Sequence, residues 1–503
     1  MSKMNDLSHL LGGHSLQEAR GMLLSFWAKY RALFPQHQLW AEVESHRKTL
    51  DRCLPIFLHG DEGVAYKKGG VLVLSMQGAF GHGSRASERA KRLEENYRAL
   101  SDGIPLNFLR TGFQTRLLIC VCPKDMYAED RRVWNALFEN AVADLATAQR
   151  EGVDLGGTAG RIFPIVLGNK GDWSYLVSSA NLERSYRRAP KGAGENGDHN
   201  VEGPGVCHLC TCGQGTDWED LNAADAAMDQ AFTVELPVPW DRESPMTREL
   251  LVDNSCNGKN RFHCIDPWHA LHLGIGKAWV ASGIMMLQHL VPETQVDKRM
   301  RAIGAEYRSF CRRQKLDPVI RRIDIHSFGG GGANEANGTW NKAAVTSNFM
   351  MFLQEFCEQR AAMVEGDERL RIFAFGTKRI NTFMRGIYSG EVFLPRATAA
   401  ELSKALYEFI KAYLYEAHAS AHLGLPYFPL FPKLHFLHET AHELKRQSEI
   451  ADYAFNPAVY SCALDEDFIG RTAVITRCVS PRIIAKRTLE RYLCHIQLAW
   501  ARH

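Results

Sequence analysis

The chain has 503 residues, of which 45% are hydrophobic and 23% are charged. This composition excludes disorder on a large scale, and the length is sufficient for about two to four domains. The 60 Lys and Arg residues exceed the 57 Asp and Glu residues so slightly that the net charge is only +3. A strongly basic protein is therefore excluded, and any surface for nucleic acid must be a local one.

The cysteine count and the apolar runs indicate the compartment. The 13 cysteines are odd in number and stand mostly singly in apolar contexts, which is typical of reduced, buried thiols. The N-terminal residues lack the pattern of a signal peptide. The longest apolar run, around 278–291, is shorter than the roughly 20 residues that span a bilayer. We expect a nuclear or cytoplasmic protein that is neither secreted nor membrane-bound.

The first predicted elements are helices. Residues 16–50 have apolar positions at helical spacing on both sides of Pro35, which predicts a pair of helices in an N-terminal helical region, residues 1–50. No function follows from this pattern.

Strand-like runs follow the helical pair. They occupy 54–60, 70–77 and 115–122, and a helical pattern at 131–152 separates them from a fourth strand within 160–176. Three strands, a helix and a strand that ends beside an acid form the opening order of an RNase H-like domain. Many other α+β proteins share that order.

The second half of the chain is different. A Gly- and Pro-rich segment at 187–205 predicts a loop, and helical periodicity dominates from 266 to about 445. We therefore predict an α/β fold in which an RNase H-like mixed sheet is interrupted by a large, mainly α-helical insertion. The predicted parts are residues 51–186 for the first part of the RNase H-like domain, 187–445 for the loop, Cys-x-x-Cys segment and insertion, and 446–503 for the closing helices.

Two acids follow the first and fourth predicted strands. Asp61 lies in "HGDEG" and Asp172 in "NKGDW". In an RNase H-like sheet these two strands are neighbours, so the acids would meet. Two-metal phosphoryl transfer needs carboxylates that converge from separate elements, and Mg²⁺ prefers oxygen ligands. The alternative is that both are turn acids, since Asp is common in turns.

A second group of candidate ligands begins with "VCHLCTC". Cys207 and Cys210 have the spacing of half a zinc site. The other half would come from 263–274 or from 432–442, where His435 and His438 share a helix face because they are three residues apart. The alternative is a set of buried thiols and core histidines.

The motifs occur in a characteristic order. "HGDEG", "KGDW", "CHLC", "DPWH", "PKLHFLH" and "DEDFIG" together resemble the catalytic region of DDE transposases of the CACTA and Plavaka kind, which are related to the hAT group. The resemblance extends over about residues 54–500. It implies an RNase H-like fold, Mg²⁺- or Mn²⁺-dependent chemistry on DNA phosphodiesters, and a homo-oligomer if the protein is active.

The resemblance also implies residue roles. Asp61, Asp172 and Glu466 match the metal-binding triad, and Phe468 and Gly470 select Glu466 over the adjacent Asp465 and Asp467. A structural zinc site is implied by the motif residues Cys207, Cys210, Asp266, His269, His435 and His438.

The sequence also departs from this family. Ser174 stands where relatives often have Pro, and we find no zinc finger or helix-turn-helix motif for DNA ends. A second hypothesis is therefore a transposase-derived protein that has lost cleavage and binds DNA or a protein partner. A third is a simple nuclease.

Local clusters of basic residues lie at 298–322 and 481–491. Such clusters supply salt-sensitive contacts to DNA phosphates, although a solvated helix face is the alternative. The DNA-binding candidates are Arg312, Arg313, Lys315, Arg321, Arg322, Lys486 and Arg487.

Overall fold

The chain divides into two compact units. The computed structural model describes residues 11, 14–64, 69–93, 103–156, 160–187, 204–214, 218–320, 323–329 and 336–500. The first unit comprises Met1–Asp266, Tyr388–Arg396 and Gln447–His503, and the second comprises Pro267–Ile387 and Ala397–Arg446. The domain boundaries predicted above stay a prediction, and residues 188–203 of the predicted loop lie outside the described residues.

Helices account for most of the described residues. In chain order they are α1 (Leu16–Leu33), α2 (Leu39–Glu44), α3 (Arg85–Leu93), α4 (Gly112–Thr115), α5 (Lys124–Tyr127), α6 (Arg131–Glu151), α7 (Trp173–Ser179), α8 (Leu221–Thr233), α9 (Pro245–Glu249), α10 (Gly258–Arg261), α11 (Gly276–Leu287), α12 (Val296–Gln314), α13 (Ala343–Gln359), α14 (Ala361–Glu365), α15 (Glu368–Ser389), α16 (Arg396–His422), α17 (Lys433–Ile450), α18 (Ala463–Arg477) and α19 (Ile484–Trp500). A π-helix covers Trp268–Ile275, and 3-10 helices cover Leu50–Arg52, Gln288–Leu290, Ile325–Phe328, Pro457–Tyr460 and Pro481–Ile483.

The predicted N-terminal helix pair is confirmed as α1 and α2. Ser15 caps α1, since its Oγ accepts from the Glu18 amide at 3.2 Å while the Glu18 carboxylate accepts from the Ser15 amide at 2.8 Å. This reciprocal capping box satisfies two of the free amides at the helix start. The helix ends just before Pro35, which lacks the amide hydrogen that a continuing helix needs.

The first unit contains a mixed five-stranded sheet. Its strands are β1 (Cys53–Val64), β2 (Gly70–Gly78), β3 (Arg116–Pro123), β4 (Val153–Asp154) and β5 (Arg161–Gly171). The order is β3-β2-β1-β5-β4, with β1 antiparallel to β2 and parallel to β5. The four long strands and α6 confirm the strand and helix predictions in this region. A two-stranded ribbon joins β6 (Phe393–Pro395) to β7 (Tyr453–Phe455).

One face of this sheet is covered by α18 and α19. Val71, Val73 and Leu118 form a buried cluster with side chains of both helices, including Phe468, which is fully buried. Burial of apolar area is the main favourable term in such packing. Phe468 therefore anchors α18 on this face of the sheet.

The second unit is mainly helical. The stretch Trp268–Leu290 is long and apolar enough to cross a membrane by length and composition, with a mean hydropathy of 1.3 over its most apolar window. However, 78% of that window is buried inside the protein, as in a core helix of a soluble protein. The predicted absence of membrane binding stays a prediction.

Helix α15 lies within the predicted helical region, although its own sequence pattern does not single it out as a helix. Its interior contains Gly376 and Thr377, which have low helix propensity. Packing explains the glycine, because a Cβ atom at Gly376 would lie 2.9 Å from the Ala412 side chain and 3.0 Å from the Trp279 ring. Close helix packing therefore overrides the weak local signal.

Candidate metal centre

Asp61 lies inside the central strand β1. It pairs with Val73 of β2, and β1 continues to Val64. Its side chain is half-buried and accepts a hydrogen bond from the Glu62 amide at 2.6 Å. Because the strand extends three residues beyond Asp61, the interpretation of this residue as a turn acid is wrong.

Asp172 directly follows β5. The parallel register pairs Gly60 with Gly171, so Asp61 and Asp172 each come one residue after a paired position on neighbouring strands, which are roughly 4.8 Å apart. Asp172 is also the N-cap of α7, where its Oδ1 accepts from the Tyr175 amide at 2.7 Å. It is therefore both a capping acid and a neighbour of Asp61.

The two glycines before these acids are required by a close approach. A Cβ atom at Gly60 would lie 2.1 Å from the Tyr175 ring, and one at Gly171 would lie 2.4 Å from the same ring. The Tyr175 hydroxyl donates to the Asn169 side-chain oxygen at 3.0 Å, which fixes the ring across both strands. This packing holds the acid-bearing ends of β1 and β5 together.

Glu466, in the first turn of α18, contacts Asp61 of β1. The two carboxyl groups are hydrogen-bonded to each other. Burial raises the pKa of Glu466 to about 10, with further contributions from the charge and hydrogen bond of Asp61 and the charges of Asp266 and Asp465. The raised pKa favours a proton held between these two carboxyl groups.

The acids on either side of Glu466 have other partners. The Asp465 carboxylate lies 2.8 Å from the Lys170 ammonium and 3.2 Å from the Arg116 Nε, with all three side chains fully buried. Asp467 accepts from the Gly112 amide at 3.0 Å and from Arg471 at 2.7 Å. Of the three consecutive acids, Glu466 is the one that is hydrogen-bonded to Asp61.

A fourth carboxylate belongs to this group. Asp266 is buried, accepts from the Cys462 amide at 3.2 Å and contributes to the raised pKa of Glu466. Sequence reasoning placed Asp266 among the zinc candidates, and only its motif "DPWH" singled it out. Burial and the charge of Asp266 raise the pKa of Cys462 well above its usual value, so this thiol stays protonated.

Asp61, Asp266 and Glu466 form an acid cluster that is suited to a hard divalent cation. Asp172 directly follows the neighbouring strand β5. Carboxylate oxygens are the ligands that Mg²⁺ and Mn²⁺ prefer, and Mg²⁺ keeps several waters, so a few carboxylates suffice. Crowded carboxylates repel one another unless a proton or a cation lies between them. Burial is the main cause of the raised pKa of Glu466, and repulsion from Asp61 and Asp266 raises it further.

Groups of cysteine, histidine and carboxylate side chains that could hold a metal ion are present among the described residues. In the first unit, Cys207 and Cys210 are fully buried in one turn. The Leu209 amide donates to the Cys207 Sγ at 3.3 Å, and Arg184 donates to the carbonyls of Cys207 and His208 at 2.8 and 2.9 Å. The turn is therefore rigid.

The remaining zinc candidates lie in the second unit. On α17, the His435 Nε2 lies 3.4 Å from the Glu439 carboxylate, and His438 packs edge-on against the Tyr407 ring at 5.0 Å. His435, His438 and Glu439 are buried. His269 is half-buried beside Trp268, and its carbonyl accepts from Lys433 at 3.4 Å.

The predicted DNA-binding residues are solvent-exposed where the structure describes them. Arg312 and Arg313 end α12, Lys315 follows in a left-handed conformation, and Lys486 and Arg487 lie on α19. Arg313 pairs with Glu355, and Arg487 pairs with Glu490 at 2.6 Å. Arg321 and Arg322 lie outside the described residues.

Comparison with known proteins gives no family for this chain. No protein-family model matches it, and no curated protein matches it significantly.

Proposed function

We propose that the chain is a metal-dependent polynucleotidyl transferase that acts on DNA phosphodiesters and resembles DDE transposases of the CACTA and Plavaka kind. The observation that carries the proposal is the hydrogen bond between Glu466 and Asp61. These residues are distant in the sequence and belong to separate motifs. The register of β1 and β5 adds Asp172 beside Asp61.

The strand arrangement supports the RNase H-like part of the proposal. In an RNase H-like sheet the first acid lies on the first strand and the second just past the fourth, on neighbouring strands. The long strands β1 and β5 are neighbours and carry Asp61 and Asp172 at matching positions. The short edge strand β4 does not alter that relationship.

The acids have distinct roles in this proposal. Two divalent ions about 3.5–4 Å apart would activate a water or a 3′-hydroxyl and neutralise the leaving oxygen. Asp61 within β1 and Asp172 directly after β5 would hold the ions from neighbouring strands, and Glu466 would complete the second site from α18. Asp266, buried beside Glu466, favours a cation there because it adds negative charge.

A basic face on α12 supports DNA as the partner. Its exposed cations recur at intervals of three, four or seven residues, which places them on one side of the helix. They are Lys298, Arg301, Arg308 and Arg312, and Lys315 follows the end of the helix. Since this face needs no acid cluster, it equally favours the second hypothesis, a transposase-derived protein that binds DNA without cleaving it.

The test is cleavage of plasmid DNA with Mg²⁺ or Mn²⁺ by variants of single acids. Asp61→Asn and Glu466→Gln should each reduce cleavage about a hundredfold or more, because each removes a metal ligand. Glu62→Gln is the matched control for Asp61. Glu62 is adjacent on β1 but pairs with Lys124 at 2.6 Å and Tyr127 at 2.8 Å, so cleavage should persist.

Asp172 needs its own control because it also caps α7. Asn caps a helix as well as Asp does, so Asp172→Asn should remove cleavage without loss of the helix. Asp220 caps α8 with its Oδ1 at 2.9 Å from the Asn222 amide, and Asp220→Asn should leave cleavage unchanged. Strand-joining products would separate a transferase from a nuclease. Intact DNA binding without cleavage by the unmodified protein would favour the second hypothesis.

A further inference from the structure

We infer that Lys170, Asp465 and Arg116 form a buried clamp that holds Glu466 against Asp61. The effect of this clamp on catalysis rests on the proposed function. Within this account Lys170, Asp465 and Arg116 are positioning residues, because they do not touch the substrate or the ions.

The clamp joins three elements of the first unit. Lys170 lies two residues before Asp172 on β5, Asp465 lies one residue before Glu466 on α18, and Arg116 begins β3. The Asp465 carboxylate binds Lys170 through one oxygen at 2.8 Å and Arg116 through the other at 3.2 Å. One carboxylate therefore fixes the start of α18 to strands on both sides of the sheet centre.

Each cation is held in turn by backbone and side-chain oxygens. The Lys170 ammonium donates to the Ser461 carbonyl at 3.0 Å and to the Val459 carbonyl at 3.5 Å. Arg116 donates to the Thr115 hydroxyl at 2.8 Å and to the Asn107 carbonyl at 3.1 Å. Lys170 thus grips both Asp465 and the backbone that leads into α18.

The clamp is charged despite its complete burial. Burial alone raises the pKa of Asp465, but the charges of Lys170 and Arg116 hold that pKa well below its usual range. Buried ion pairs contribute little net stability compared with apolar packing of similar volume, and their best-attested use is to fix one arrangement among several. Here the arrangement they fix is the one that places Glu466 beside Asp61.

Polar residues on three neighbouring strands also lie beneath α18. Cross-strand partners share a face, and the register pairs Lys170 with His59 and His59 with Ser75. The charge of His59 contributes to the lowered pKa of Asp465. The face of the sheet beneath α18 therefore has a buried polar strip next to the acid cluster, where an aliphatic core would leave the helix free to shift.

The test replaces Lys170 alone. Lys170→Met leaves Asp465 paired with Arg116, so one positive and one negative charge remain and the fold is preserved better than in an Asp465 variant. Lys170→Arg keeps the charge and the donors. Three properties are measured in the full chain: hydrogen exchange of the segment 462–468, the affinity for Mn²⁺, and the kcat for DNA cleavage beside the Kd for DNA.

For Lys170→Met we expect the rate of hydrogen exchange in 462–468 and the Kd for Mn²⁺ each to rise about tenfold. We expect kcat to fall about ten- to a hundredfold, because a misplaced metal ligand weakens both metal binding and catalysis. The Kd for DNA should stay unchanged, and Lys170→Arg should be closer to the unmodified protein. Purely structural damage would instead affect all of these properties together and would not be rescued by Arg.

The matched control is a buried ion pair elsewhere. Glu416 is fully buried in the second unit and accepts twice from Arg369, at 3.0 and 2.8 Å. Glu416→Gln should lower stability without changing the affinity for Mn²⁺. The clamp is refuted if folded Lys170→Met shows normal exchange in 462–468 and an affinity for Mn²⁺ within about twofold of normal. If the unmodified protein binds no Mn²⁺ through Asp61, the proposed function fails, while the exchange result still decides the clamp.

Discussion

Glu466 on α18 shares a hydrogen bond with Asp61 on β1, and Asp266 adds further negative charge at this site. A proton held between two carboxyl groups occupies the place that a divalent cation would take, because both relieve the same repulsion. If the proposed metal ion binds to this pair, metal binding and stability should be coupled there.

The first prediction follows from that coupling. Millimolar Mn²⁺ should raise the melting temperature of the unmodified protein, since a ligand at a hundred times its Kd stabilises the folded state by about 2.7 kcal/mol. Glu466→Gln should melt at a higher temperature without metal, because it removes a carboxyl group from a repulsive cluster, and should respond little to Mn²⁺. Thermal melts monitored by circular dichroism measure both effects. Glu62→Gln is the control and should respond normally.

The second prediction concerns the basic face of α12. Replacing Arg301, Arg308 and Arg312 by Ala should weaken DNA binding about equally for all sequences. It should also reduce the slope of log K against log salt by about 3, because each lost phosphate contact removes about 0.9. Fluorescence anisotropy with a labelled duplex over a range of salt concentrations provides both quantities.

A control variant with the same change in net charge distinguishes the effect of the basic face of α12 from the effect of the total charge. Lys378, Lys404 and Lys411 are exposed cations on other helices of the second unit. Their replacement by Ala should leave the salt slope nearly unchanged. Equal losses in both triple variants would show that overall charge, and not α12, governs the binding.

The third prediction concerns the Cys207 and Cys210 turn. If these buried thiols hold zinc, the purified protein should contain about one zinc per chain outside the acid cluster, and Cys210→Ser should lose it, because structural zinc requires thiolate or imidazole ligands. Cys212 is equally buried and two residues away, so Cys212→Ser is the control and should keep the zinc. Elemental analysis by mass spectrometry makes the comparison, and zinc retained in Cys210→Ser would refute the assignment.

The fourth prediction is an acid-sensitive contribution from His37. Burial lowers the pKa of His37 to about 4, and its Nδ1 accepts from the Leu39 amide at 3.1 Å, which requires the neutral ring. The unfolded chain binds more protons than the folded one between its ordinary pKa, about 6.5, and 4. Stability should therefore fall by up to about 3 kcal/mol as the pH decreases through this range.

His37→Asn removes this titration and retains an oxygen that can accept from Leu39. Urea unfolding at pH 7 and pH 4 should show a smaller loss of stability in this variant than in the unmodified protein. Exposed His46 has a positive φ of 58°, which Asn tolerates well, so His46→Asn is the control. An equal loss at pH 4 in His37→Asn and the unmodified protein would contradict the prediction.

Local pattern was sufficient to predict much of the first unit. Alternating and continuous apolar runs predicted the long strands, and their order placed Asp61 and Asp172 at corresponding positions. Glu466 was identified only through the resemblance of "DEDFIG", since three consecutive acids at a helix start look alike in a sequence. The structure separates them because Asp465 and Asp467 have partners of their own.

The rest of the candidate site depends on long-range contacts, which the sequence pattern does not reveal. Nothing in "FHCIDPW" predicts that Asp266 lies beside Glu466, because the two residues are far apart in the sequence and only the tertiary fold brings them together. Lys170 and Arg116 also read as ordinary strand-end residues, yet both are completely buried. Both are buried because they form ion pairs with Asp465. Asp465 is hundreds of positions away, so the sequence alone does not reveal these pairs.

The measurement that tests the central claim most directly is a crystal structure of the protein soaked with Mn²⁺, with anomalous diffraction used to locate the ion. We predict a peak within ligand distance, about 2.2 Å, of the carboxylates of Asp61 and Glu466, and no such peak in Glu466→Gln. A structure in which Mn²⁺ binds elsewhere, or in which these two carboxyl groups lie apart, would contradict the account.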